Sequence, residues 1–105
     1  MVTLTSRDNG RTVAARAGDT IEVVLPENAS TGYRWAVDRV DPAVLETAEE
    51  SARYPNAAPG SGGEALFRFR VRQAGSSPLA LKRWRSWEGD ASVVERFAVT
   101  IGAAD

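Results

Sequence analysis

The sequence predicts an all-β fold, a sandwich of six to eight short strands. Three observations predict it. Apolar residues recur at every second position in several separate runs, which is how a strand with one buried face reads. Clusters of Gly, Pro, Asn, Asp and Ser punctuate those runs at short intervals, as turns do in sandwiches. The 105 residues with 43% hydrophobic content suit one modest core and leave no room for a second domain, so 1–105 is one unit.

The elements follow in order. Val2 and Leu4 open a short N-terminal strand, and Val13 is expected to continue it after a turn at Asn9-Gly10. Ile21, Val23 and Leu25 form one inward stripe, and Tyr33, Trp35 and Val37 another, with Trp35 expected in the core. Residues 42–52 are rich in helix-friendly Ala, Leu and Glu. They are expected to form a turn or short helix that leads into a weak strand near residues 45–48. Phe67, Phe69 and Val71 alternate with Arg68, Arg70 and Arg72. That strand has an apolar face and a basic face, the latter solvated and opposite acidic residues of a neighbour. Leu79 and Leu81 mark a further strand, and Phe97, Val99 and Ile101 alternate through the last.

Composition excludes much. The 13 basic and 14 acidic residues leave a net charge of −1, without the basic excess of a nucleic-acid binder. Cysteine and histidine are both absent. Disulfides, Cys–His and Ser-His-Asp catalysis and the usual zinc sites are therefore impossible. No pair of carboxylates stands out as an acid–base couple. The protein is expected to be no enzyme and to need no cofactor or metal. No apolar run approaches the roughly 20 residues of a membrane span, so no membrane partner is expected. Residues 1–9 are polar and show no signal-peptide pattern. Localisation stays open between cytoplasmic and, for a trimmed chain, periplasmic or secreted.

Three segments carry more special residues than plain connections need. The first is Asn28-Ala29-Ser30-Thr31-Gly32-Tyr33. Its ordinary reading is a turn using side-chain hydrogen bonds and a positive φ. Asn28-Ala29-Ser30 also matches a glycosylation sequon, and a glycan there would block binding by this loop. The second, Gly60-Ser61-Gly62-Gly63, closes the low-complexity stretch 54–63. It reads either as a flexible linker or as backbone that approaches a ligand closely. The third, residues 82–89, holds Trp84, Trp87 and the basic Lys82, Arg83 and Arg85 at a strand end. Trp and Arg are the types most enriched in binding hot spots. Because Leu79 and Leu81 face inward, alternation turns Trp84 outward. With strands lettered as in an immunoglobulin domain, these segments are the B–C, D–E and F–G loops, which share one end of a Greek-key sandwich.

This constellation resembles the chagasin family of cysteine peptidase inhibitors, whose loop motifs run roughly NPTTGY/F, GxGG and RPW. They correspond here to residues 28–33, to Gly60-Ser61-Gly62-Gly63, and to Arg85-Ser86-Trp87. Leu25-Pro26, Trp35, Ala74-Gly75 and Glu95-Arg96-Phe97 match the framework. The resemblance implies an immunoglobulin-like Greek-key β-sandwich of about seven to eight strands, acting as a monomer on a papain-like cysteine peptidase. It further implies that Ser30 and Thr31 sit over the catalytic Cys–His pair. Gly62 and Gly63 would line the non-primed side of the cleft, and Arg85 and Trp87 the primed side. Two family prolines are Ala29 and Ser86 here. Each loss is worth about 0.4–1 kcal/mol of ordering, so looser loops that order on binding are expected. The rival reading is an immunoglobulin-like module that binds carbohydrate or another protein, with Trp84 and Trp87 stacking on sugar.

Overall fold

Burial at every second residue builds two four-stranded sheets. The computed structural model describes residues 1–27, 32–53 and 62–105. Its strands are β1 (Val2–Leu4), β2 (Thr12–Arg16), β3 (Thr20–Glu27), β4 (Arg34–Val40), β5 (Leu45–Arg53), β6 (Gly63–Val71), β7 (Gly75–Trp84) and β8 (Glu95–Ala104). One sheet has the order β1-β3-β6-β5 and the other β2-β8-β7-β4. The inner faces meet through Ile21, Val23 and Leu25 of β3, Phe67, Phe69 and Val71 of β6, Leu79 and Leu81 of β7, and Phe97, Val99 and Ile101 of β8, all buried. Cross-strand pairs such as Ile21 with Phe69 and Leu81 with Phe97 put large side chains side by side. Each such side chain contributes roughly 1.5–3 kcal/mol by leaving water.

One expectation needs correction, and a second holds with a longer strand. Val13 does not extend the first strand. It lies on β2, which runs parallel to β8 in the opposite sheet, with Val13 opposite Ile101. The crossing is fixed by the intervening turn, where Ala98 of β8 donates its N–H to Asn9 Oδ1 at 2.8 Å and accepts from the Gly10 N–H at 2.7 Å. The helix-friendly stretch is a turn at residues 42–44 followed by the nine-residue strand β5, longer than expected. Intrinsic propensity yields here to pairing with β6 along almost the whole strand.

That pairing also accounts for the basic face. Arg68 lies 3.0 Å from Glu22 of β3 and 3.4 Å from Glu49 of β5. Arg70 stands opposite Glu46. Arg68 and Arg70 thus face acidic residues of neighbouring strands, as expected of a solvated charged face.

The β3–β4 connection crosses between the sheets, whereas β5–β6 and β7–β8 are hairpins within one sheet. The layout is immunoglobulin-like, and the described strand ends that flank the three segments, Glu27 with Gly63 and Arg34 with Trp84, lie at one end of it. Substituting Phe69→Ala should lower stability by about 3–5 kcal/mol, read by urea denaturation, because the ring is fully buried between the sheets.

Candidate functional site

The third loop is built from its own backbone. After Trp84 the chain makes two short 3-10 turns, Ser86–Glu88 and Asp90–Ser92. The Ser92 hydroxyl accepts the Arg85 N–H at 3.0 Å and shares its proton between the carbonyls of Arg85, at 2.9 Å, and Gly89, at 2.7 Å. The Glu88 N–H returns to the Arg85 carbonyl and the Val94 N–H to that of Arg83. These bonds oppose the loosening expected from Ser86 in the place of the family proline.

A lysine ties this loop to the outer face of its sheet. Lys82 Nζ donates to Asp90 Oδ1 at 2.9 Å, lies 3.4 Å from Asp38, and sits 3.7 Å from the centre of the Trp84 ring. Trp84 does face outward, but Lys82 covers one face of its ring. The hydrogen bond from Lys82, then its charge, hold the Asp90 carboxyl below the usual carboxylate range. The same hydrogen bond raises the Lys82 ammonium above its ordinary value.

The first loop leans on the third. Gly32 has φ +77°, a conformation that favours glycine. A Cβ at Gly32 would lie 3.2 Å from Trp87 Cη2 and 3.6 Å from Arg85 Nε. Next to it, the Tyr33 ring carries the Arg85 guanidinium 4.3 Å from its centre and that of Arg83 at 5.9 Å, both within cation–π range. Gly32, Tyr33, Arg85 and Trp87 therefore form one continuous surface. Trp87 is 71% exposed, resting one edge on Gly32 and presenting the rest to solvent. Ser86 beside it is exposed as well. Asn28, Ala29, Ser30 and Thr31 lie outside the described residues.

Of the second loop, Gly60 and Ser61 also lie outside the described residues. Gly62 is exposed, with nothing near its missing Cβ, and Gly63 opens β6 opposite Glu27. A cleft of about 260 Å³, lined by Pro26, Glu27, Gly62, Gly63, Arg83 and Glu95, joins the bases of the three loops. The Arg83–Glu95 ion pair, 3.1 Å long, forms part of its wall.

One residue escaped the sequence reading. Glu27 is only 5% exposed, yet it is acidic. It occupies the inward position that follows Ile21, Val23 and Leu25 on β3. The period-two stripe, carried two residues further, would have found it. Its Oε1 accepts the Trp35 N–H at 2.9 Å, and its Oε2 lies 3.6 Å from Arg34 Nε. Trp35, in the core as expected, donates its indole N–H to the Pro26 carbonyl at 2.9 Å.

A family model described as Chagasin family peptidase inhibitor I42 matches residues 14–101. The chain belongs to the chagasin family. Chagasin of Trypanosoma cruzi is 30% identical to it over 105 residues, covering 95% of this chain and 96% of the relative. Among solved structures, the cysteine protease inhibitor EhICP2 of Entamoeba histolytica superposes with a TM-score of 0.87 at 18% identity, covering 98% of this chain and 95% of its own. PbICP-C, solved in complex with falcipain-2, gives 0.74 at 11% identity, covering 99% and 100%. These chagasin-type structures confirm the immunoglobulin-like sandwich.

In this chagasin-family chain the Lys82–Asp90 contact should hold across a wide pH range. Asp90 has a lowered folded pKa, so its contribution is present above the unfolded value of 3.8 and is lost as pH falls through the folded one. Lys82 has a raised folded pKa, so its contribution is present below 10.5 and is lost only as pH rises through the folded value. The amide shifts of Asp90 and Ser92 should stay flat between about pH 5 and about pH 9 and move below pH 4. Asp90→Asn should abolish the acidic transition. A transition near neutrality would contradict the assignment.

Proposed function

We propose that this chain inhibits papain-like cysteine peptidases by filling the active-site cleft with its three loops acting as one surface. The observation that carries the reading is the contact of Gly32 and Tyr33 with Arg85 and Trp87, which joins the first loop to the third beside Gly62 and Gly63. Membership of a peptidase-inhibitor family supports it.

The roles follow from the side chains. Trp87 is a large, rigid and exposed anchor of the type that dominates interface energies. Together with Arg85 it takes the primed side of the cleft, where Ser86 adds backbone contact. Gly62 and Gly63 let the second loop approach the opposite, non-primed wall as extended backbone, with Gly60 and Ser61 leading into it. Asn28, Ala29, Ser30 and Thr31 take the centre, with the two hydroxyls over the catalytic Cys–His pair. The chain has no histidine or cysteine, so it blocks without chemistry and is not consumed.

Titrating papain or a cathepsin with the protein tests this. The expected result is competitive inhibition with the inhibitor intact by mass spectrometry. No inhibition at micromolar concentration would overturn the proposal. Trp87→Ala should weaken inhibition by about 2 kcal/mol, roughly 30-fold, and leave the melting temperature unchanged. Equal inhibition by parent and variant would remove Trp87 from the contact.

A further inference from the structure

We infer that Glu27 is a positioning residue for the inhibitory surface, and that its reach rather than its charge sets the spacing of the three loops. The inference rests on the inhibitory reading above. Glu27 ends β3, with its side chain 2% exposed between the two sheets. Its backbone pairs with Gly63, at the base of the second loop. Its carboxylate holds the Trp35 N–H at 2.9 Å, on the far side of the first loop. Trp35 and Arg34 pair in turn with Arg83 and Trp84, where the third loop begins. One side chain thus touches or adjoins the bases of all three loops.

The chemistry suits positioning better than stability. Burying a carboxylate is unfavourable unless it is hydrogen-bonded and paired. An apolar residue would continue the stripe of Ile21, Val23 and Leu25 at less cost. The carboxylate instead spans the gap between the sheets and meets β4, which is an edge strand. The Trp35 N–H has no further strand to pair with there, and Glu27 satisfies it. A hydrogen bond at this length holds its donor and acceptor at a fixed distance and angle. With the indole bond from Trp35 to Pro26, the bond fixes the distance across which residues 28–33 must close. A loop whose ends are set before binding loses less freedom when it binds.

Two conservative variants separate reach from charge. Glu27→Gln retains the length and the acceptor oxygen. Glu27→Asp retains the charge but draws the carboxylate back by one methylene. Inhibition constants for a papain-like peptidase should stay within threefold of the parent for Gln and rise tenfold or more for Asp. Hydrogen exchange on the free protein gives a readout that needs no peptidase. In the Asp variant the Trp35 amide should exchange at least tenfold faster while the Phe69 amide keeps its rate, which general destabilisation would not allow. An Asp variant equal to the parent in both assays, or a Gln variant as weak as Asp, would overturn the inference. If the parent itself fails to inhibit, the functional reading falls, and the exchange comparison still decides whether Glu27 holds the loop base.

Discussion

Two sheets without a disulfide are held together chiefly by the interdigitation of their inner faces, and the arrangement of the loop end follows from that. The stripes on β3, β6, β7 and β8 fix the register of each strand, because a one-residue slip would turn every apolar side chain to solvent. Register fixes where each strand stops. The stopping points bring Glu27, Gly32, Tyr33, Gly63 and the start of the 85–94 connection to one end. At that end the apolar stripe of β3 gives way to Glu27, and the sheets are joined by a hydrogen bond in place of hydrophobic contact.

The surface above this junction is organised by small contacts that depend on one another. Gly32 suits its positive φ, and a Cβ there would press on the Trp87 ring at 3.2 Å. Arg85 stacks on Tyr33 and so ties the third loop to the last residue of the first loop, next to β4. Ser92 gives the third loop internal bonds that a proline at position 86 would supply as a fixed φ. The result is an exposed tryptophan on a supported base, the arrangement in which an anchor loses least entropy on binding.

Much of this was legible in the sequence, for physical reasons that differ by element. Alternation marked β3, β6 and β8 because each has one dry and one wet face. It failed for β5, an edge strand whose outward glutamates follow the arginines of β6 rather than any pattern of their own. It also failed to send Val13 to the other sheet, since the hydrogen bonds that do so join Asn9 and Gly10 with Ala98, 88 to 89 positions away. The site was legible as motifs through resemblance, and Trp87 through residue type. The coupling of Gly32 to Trp87, and the part played by Glu27, are tertiary. Glu27 left a trace, since its position in the stripe is that of a core residue.

One end of the sandwich, acting as one surface, is proposed to meet the peptidase. Hydrogen exchange of the chain with and without a saturating papain-like peptidase tests it most directly. Protection gained on binding should fall on residues 28–33, 60–63 and 85–87, while the outer arginine face of β6 exchanges as in the free protein. Protection centred on Arg70 and Arg72, or confined to a single loop, would contradict it.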